Sequence, residues 1–573
     1  MKQSLLYTHR LSNIKLPLEH KPGDLRQAVL SCLQLDDQEL RDIFVYRRGY
    51  DARKKTNIHF TYTLDLCFSD SVDITNLVEK YQLQPAPNMA YQPLFSQAEG
   101  ASYTQGNGYQ RPVVIGTGPC GLFAALTLAQ LGLEPLVLER GKAVRERTKD
   151  TWGFWRKQLF KEESNVQFGE GGAGTFSDGK LWSQVKDPRY LGRKVMEEMV
   201  KGGAPEEILY VSKPHVGTFR LVKIVEYLRA EIERLGGEIR FSTKVEEVYR
   251  DEDRITGLKT CNIETGEKDE IESSRVILAI GHSARDTFEM LHSQEVFIEP
   301  KAFSVGFRIE HPQGLIDRAR FGSNDRFPGH PQKIVEHVGA ADYKLVHHAK
   351  NGRSVYSFCM CPGGTVVAAT SETGRVVTNG MSQYSRLERN ANAGVVVGIE
   401  PEDFGADMKN PLAGIGFQRE IEALAFKLGG ENYFAPGQLV GDFLRGQISK
   451  SLGKVEPSYK PGVLLTDLTG RQVTPLFPEY VIEAIQEALP EFGKQIKGFD
   501  RSDALLTGVE TRTSAPIRIR RNGEKHPSAF QSVNTSGLYP AGEGAGYAGG
   551  IMSAAIDGIK VAEALAKTFS NST

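Results

Sequence analysis

Apolar residues at Ile58, Phe60, Tyr62, Leu64, Leu66 and Phe68 alternate with mostly polar neighbours. That period of two predicts a half-buried strand. Ile43 to Tyr46 forms a second short apolar run. Between Tyr7 and Ile43, Asp24 is placed to cap a helix whose apolar face is Leu25, Ala28, Val29, Cys32 and Leu33, with Gln27 at the capping-box position. Asn76 to Tyr81 predicts another short helix. Residues 1–83 therefore read as a small α+β unit with a ferredoxin-like layer. Residues 84–110 hold Pro85, Pro87, Pro93, Gly100, Gly106 and Gly108 with little periodicity, and read as a linker.

The pattern changes at Arg111. Val113-Val114-Ile115 is a continuous apolar run, as expected of a strand buried on both faces. Leu122, Ala125, Leu126, Leu128 and Ala129 then recur at helical spacing, and Leu136-Val137-Leu138 predicts a second strand. Gly217 to Arg250 reads as a long helix followed by a short strand at Glu238 to Phe241. Three β-prone stretches follow up to Ser274, with turns at Asp251 to Asp253 and Thr265 to Lys268, and Val276 to Ile280 reads as a buried strand. Residues 287–500 are mixed, and strand, glycine-rich turn and helix return from Gly537.

At 573 residues the chain exceeds one compact core. Lys plus Arg number 70 and Asp plus Glu 71, so no global field draws in nucleic acid or acidic lipid. No apolar run reaches the roughly 18 residues of a membrane span. The stretch from Met1 to Lys15 has only Leu5-Leu6-Tyr7 as an apolar cluster and does not read as a signal peptide. Six scattered cysteines suggest no disulfide framework and fit a reducing cytoplasm. The 59 glycines cluster in a few loops, which suggests close backbone approach to a ligand.

The first such loop is Gly116-Thr117-Gly118-Pro119-Cys120-Gly121, between the apolar strand and the helix, with Glu139 at the end of the next strand, 23 positions after Gly116. Gly116 allows the tight turn, Gly118 admits a pyrophosphate to the backbone, and Gly121 lets the helix pack on the strand. The helix start supplies free N–H groups to the anion. Glu139 is placed to accept both ribose hydroxyls of an adenosine, and Glu139-Arg140-Gly141 alone does not separate NAD from FAD.

About 400 residues further on, Gly537 to Ile551 holds Gly542, Glu543, Gly544, Gly546, Gly549 and Gly550 before an amphipathic helix. An acid after a strand, then glycines opening a helix, suits the remainder of FAD. Glu543 is placed for a ribityl hydroxyl, and the amides near Gly550 and Ile551 for the charge that develops on the flavin ring. The expected fold is an α/β, Rossmann-like FAD-binding domain made of residues 111–286 and 501–573. An α+β substrate or cap domain, 287–500, is inserted in it, and the ferredoxin-like unit precedes it.

These motifs, with Gly169 to Leu181, Phe358 to Gly364, Asn379 to Ser382 and Gly508 to Pro516, resemble bacterial FAD-dependent dehydrogenases of the glutathione-reductase-like superfamily. More closely, the chain resembles a largely uncharacterised group of FAD-dependent dehydrogenases. The resemblance implies non-covalent FAD and hydride exchange with an organic substrate. It further implies that Gly172, Gly174, Thr175, Ser177 and Asp178 run along the pyrophosphate and ribityl chain. Val245 corresponds in position to a residue whose backbone meets adenine, and Gly281 ends the strand similar to Ala-Thr-Gly, Ile280 standing for the Thr. Glu543 stands where relatives often have Asp.

Candidates for chemistry are Lys180, for anionic reduced flavin, and Cys359 and Cys361, which read either as redox-active thiols or as two buried cysteines on a strand. Arg512, oriented by Glu510, could bind a substrate carboxylate, or the two could form a structural pair. His282 is an acid–base candidate or a helix cap. No metal set is evident. The expected partners are a small-molecule substrate and a separate electron donor or acceptor, NAD(P)H among the options. Two other readings are a flavin-dependent RNA-modifying protein gripping RNA through Arg47, Arg48, Arg53, Lys54 and Lys55, and a non-catalytic flavin redox sensor.

Overall fold

The computed structural model describes residues 7–106, 108–322 and 330–570; Leu5 and Leu6 of the N-terminal apolar cluster lie outside them. Near the N-terminus, strands β1 (His9–Pro17), β2 (Leu40–Asp51), β3 (His59–Phe68) and β4 (Gln84–Pro85) pair antiparallel in the order β2-β3-β1-β4. With helices Pro22–Leu33 and Ile74–Tyr81 between them, this is the βαββαβ ferredoxin-like layer. The alternating side chains of β3 supply its core, with Leu64 and Leu66 fully buried. Two details differ from expectation. Asp24 sits inside the first turn and accepts from the Lys21 N–H (2.8 Å), so Lys21 is the capping position. The expected linker is also structured: Gln84–Pro85 completes the sheet on β1, and Gln97–Tyr103 is a helix.

A five-stranded parallel sheet follows, in the spatial order Leu538–Pro540, Val276–Leu278, Val113–Ile115, Leu136–Leu138, Glu238–Arg240. Strands far apart in sequence thus lie side by side. The helices after the two glycine motifs, Pro119–Gln130 and Ile551–Ser570, pack directly on each other. A Cβ on Gly558 would lie 2.2 Å from the Cys120 carbonyl oxygen, so only glycine permits that approach. An antiparallel meander (Thr243–Asp251, Arg254–Asn262, Lys268–Glu272) covers one side, as the turn signals predict.

The inserted segment builds an eight-stranded sheet around the long strands Phe303–Pro312, Ser354–Ala368 and Asn390–Ile399. Leu505–Glu510 hydrogen-bonds to Phe303–Pro312 in this sheet, so the chain rejoins the parallel sheet only at Leu538, later than the expected return at 501. Among the described residues no helix is long and apolar enough to cross a membrane.

Candidate functional site

The three glycine stretches converge at the C-terminal ends of the parallel strands, where open α/β sheets bind ligands. Gly116 has φ +99°, and a Cβ there would meet the Ala279 carbonyl oxygen at 2.5 Å; one on Gly121 would meet the Gly116 oxygen at 1.9 Å. These two glycines close the turn. Gly118 caps the helix, and a Cβ there would find the Gly172 Cα at 3.9 Å. A Cβ on Gly174 would lie 3.1 Å from Ile551 and 3.4 Å from Pro119, so the loop of 169–181 bridges both nucleotide motifs. Cys120 is buried against Gly542, and burial pushes its thiol pKa up, in keeping with a packing role.

Glu139 departs from expectation. Its carboxylate accepts from the Thr117 N–H (3.0 Å) and hydroxyl (2.6 Å) and from the Gly141 (2.8 Å) and Gly169 (3.0 Å) N–H groups. Four donors saturate its two oxygens. The side chain braces three loops rather than offering free oxygens to a ribose. Arg140 stacks over Phe168 and pairs with Glu163 and Asp286. With Lys244 and Ser283 it lines a cavity of about 320 Å³ to which the inserted segment contributes Glu372, Arg375 and Arg419. Val245, next to Lys244, pairs with Thr260 in the meander.

At the other end, a Cβ on Gly281, Gly549 or Gly550 would meet nothing within 4 Å. Glu543 makes no side-chain hydrogen bond among the described residues. Desolvation pushes its pKa up to about 7, with Lys301 pulling it down and the nearby Cys359 adding to the rise. A desolvated carboxylate without a donor, beside open glycine backbone, fits a ribityl hydroxyl and a flavin ring.

The inserted sheet faces this end. Ser354–Ala368 is bulged between Phe358 and Cys361, and Cys359 has φ +42°. Cys359 is half-buried and Cys361 buried; both are free thiols. The Lys180 ammonium donates to the Met360 carbonyl. Burial works against that charge, but Cys359, Cys361 and Asp178 outweigh it and raise the Lys180 pKa. Asp178 is held at about 2: burial opposes, and Arg386 and Lys180 prevail. Ser177 turns back onto its own loop, donating to the Gly174 carbonyl, and Thr175 is buried.

Glu510 and Arg512 do not pair with each other. Glu510 takes a two-pronged bond from Arg308 (2.9 and 3.1 Å), which also donates to the Cys359 carbonyl (3.0 Å) and to Asn392 (2.9 Å). Arg512 is buried on Glu422 (3.0 and 3.1 Å), Ser283 and Ser371, and is not free for a substrate. Glu422 also receives Arg285. His282 bonds to Ser283, and burial beside Arg512 and Arg285 drops its pKa to about 3, so it stays neutral. Sequence reading missed Arg308, Arg386, Lys301 and Glu422, which lie in the mixed segment with no motif to mark them. In the N-terminal basic cluster, Arg48 lies over Phe60 and Tyr210 and exchanges backbone hydrogen bonds with Tyr210 and Ser212, while Arg53 pairs with Asp51. That hairpin docks on the nucleotide-binding part.

Two family models match successive stretches of the chain. The family described as pyridine nucleotide-disulphide oxidoreductase matches residues 110–299, and that described as FAD-dependent protein, C-terminal domain-like, matches residues 302–513. A domain of unknown function matches residues 8–67. An uncharacterized protein of Clostridium beijerinckii is 44% identical over 562 residues, covering 98% of this chain and 99% of that one. Similar solved structures include L-proline dehydrogenase from P. horikoshii (13% identity, TM-score 0.32, 80% and 94% of the two chains). Another is glycine oxidase from Geobacillus kaustophilus (11%, 0.32, 80% and 94%).

Proposed function

The chain belongs to the family of that full-length Clostridium beijerinckii relative and is an FAD-dependent oxidoreductase; on this premise we propose that it is a dehydrogenase acting on a small organic substrate held between the cofactor groove and the inserted sheet. FAD, when bound, supplies a two-electron acceptor at its ring. The chain's residues do the rest. Gly118 and Gly172 leave backbone room for the pyrophosphate, and the helix start at Pro119 offers its N–H groups to it. Glu543 accepts a ribityl hydroxyl. The open backbone at Gly549 and Gly550 receives the ring. Lys180, fixed on the Met360 carbonyl, holds positive charge beside the groove where negative charge develops on reduction. The buried Arg308–Glu510 pair positions the bulge that carries Cys359.

The observation that carries this reading is the meeting of the inserted sheet with the ring end of the groove, where Lys180 donates to the Met360 carbonyl next to Cys359 and Cys359 lies near enough to add to the raised Glu543 pKa. A separate electron donor or acceptor, NAD(P)H among the candidates, completes the cycle. Anaerobic mixing of the FAD-loaded protein with a panel of amines, 2-hydroxy acids and NAD(P)H tests the proposal. Bleaching of the flavin by an organic substrate supports it. A flavin that dithionite bleaches but no organic compound reduces would contradict it.

A further inference from the structure

We propose that the cavity between Arg140 and the inserted segment is a phosphate site, taking the phosphomonoester end of a ligand other than FAD. This goes beyond the flavin reading, which puts the cofactor's own pyrophosphate in the seam of Gly118 and Gly172. The cavity measures about 320 Å³ and stands at the C-terminal ends of the parallel strands, where Arg140 follows Leu136–Leu138. Its lining side chains carry five cations and four carboxylates.

The two walls differ. On the nucleotide side the charges match: Arg140 and Lys244 each pair with both Glu163 and Asp286. On the opposite side Glu372 is the meeting point of four guanidiniums. Arg285 bonds it directly, with Arg419 at 2.8 Å, Arg375 at 3.5 Å and Arg512 at 3.9 Å. Glu422 shares Arg285 and Arg512, and Glu289 shares Arg419. Among the described residues no second carboxylate pairs with Arg375. The fourth lining carboxylate, Glu162, accepts the Thr373 N–H (3.2 Å).

A carboxylate offers about four lone-pair sites and a guanidinium five N–H donors, so donors are left over. Arg375 gives Nη1 to the Arg419 carbonyl (2.7 Å), and its Nε is buried without a hydrogen-bond acceptor, as is that of Arg285. Arg419 spends Nε on Glu372 and Nη1 on Glu289, and its Nη2 makes no hydrogen bond among the described residues. The Ser371 hydroxyl accepts from Arg512 (2.5 Å), which leaves its own proton to donate. Ser371, Arg375 and Arg419 all line the cavity.

Fixed guanidinium forks match phosphate oxygens. A phosphomonoester brings three acceptor oxygens and a charge of about −1.5 to −2 at neutral pH. That suits several unspent N–H groups around one carboxylate better than a second carboxylate would. Small-molecule pockets run from about 300 to 1,000 Å³, so an organic group fits beside the phosphate.

The test is calorimetric titration of the FAD-loaded, full-length protein with inorganic phosphate and with adenosine 5′-monophosphate, in chloride buffer of constant ionic strength. One site per chain with a Kd of about 1 mM or below is expected for at least one of them. Tighter binding of the nucleotide identifies an ester as the ligand, and tighter binding of inorganic phosphate identifies the free anion. Arg375→Gln and Arg419→Gln are each expected to weaken binding at least about tenfold, as loss of a charge-assisted contact does, and Arg375→Lys to restore part of it. No saturable binding of either ligand by wild type, binding that survives both glutamine variants, or binding seen only after FAD is removed overturns the proposal. The wild-type titration decides by itself should a variant fail to fold. Flavin content measured on the same samples separates the failures: normal FAD without phosphate binding sinks this inference alone, whereas a folded chain without FAD sinks the reading of the groove.

Discussion

Gly118 and Gly172 lie backbone against backbone: a Cβ on Gly172 would stand 2.8 Å from the Gly118 Cα. Gly172 also has φ +59°, a region that side chains with a Cβ disfavour. The nucleotide turn and the loop of 169–181 therefore share one narrow seam, and side chains added there fill the pyrophosphate cradle. Gly118→Asp adds bulk and negative charge together. It is expected to purify colourless and to bind added FAD at least about a hundredfold more weakly, the equivalent of about 2.7 kcal/mol. Gly549→Ala, where the Cβ meets open space, serves as the contrasting variant and is expected to fold normally. Fluorescence titration with FAD checks both.

Glu422 receives two guanidinium groups, Arg285 and Arg512, in a fully buried setting. Removing one partner from such a cluster costs about 3–5 kcal/mol because it strands buried charge. Glu422→Gln is expected to lose stability in that range by chemical denaturation at pH 7. Burial opposes the ionised carboxylate, but the two arginines hold its pKa well below the usual range. Its contribution is therefore complete above the unfolded value of about 4.3 and is lost as pH falls below it. The gap between wild type and Glu422→Gln should narrow on acidification.

Glu543 has the opposite sign. Its folded pKa of about 7 lies above the unfolded value, so ionisation works against folding in FAD-free protein. The penalty begins near pH 4.5, grows through pH 7 and then levels off. FAD-free Glu543→Gln is expected to match wild type near pH 5 and to exceed it at pH 8 by up to about 3 kcal/mol. Thermal unfolding of both proteins at the two pH values checks this. FAD, by donating to the carboxylate, should shrink the difference.

Gly380 lies beneath the thiol pair. A Cβ there would come within 2.4 Å of Arg308 Nη1, 2.6 Å of Asn392 Oδ1 and 2.8 Å of Cys361 Sγ. Gly380→Ala is expected to destabilise the protein by about 1–3 kcal/mol through overpacking and to disturb the Arg308 contact to Cys359. Denaturant melts of the variant and wild type check the loss of stability.

Local patterns were legible wherever one physical demand fixes residue type. The alternation along His59–Phe68 follows from a sheet with one buried face, and the spacing of Gly116, Gly118 and Gly121 from a turn under a pyrophosphate. The first strand, His9–Pro17, was harder to read because Asn13 at φ 66° breaks its alternation. Pairings across the chain left no local mark. Glu510 and Arg512 stand two apart and invite pairing, yet Arg308, some two hundred residues earlier, takes Glu510, and Glu422 takes Arg512. Likewise Glu139 looked available because three of its four donors, on Thr117 and Gly169, come from loops brought together only by folding.

The measurement that tests the account most directly is the visible absorption spectrum of the purified, folded chain before and after incubation with FAD. One flavin per chain, retained through gel filtration in wild type and lost in Gly118→Asp, is the predicted result. A folded wild-type chain that carries no flavin and takes none up would contradict the convergence of the two nucleotide motifs on a single dinucleotide.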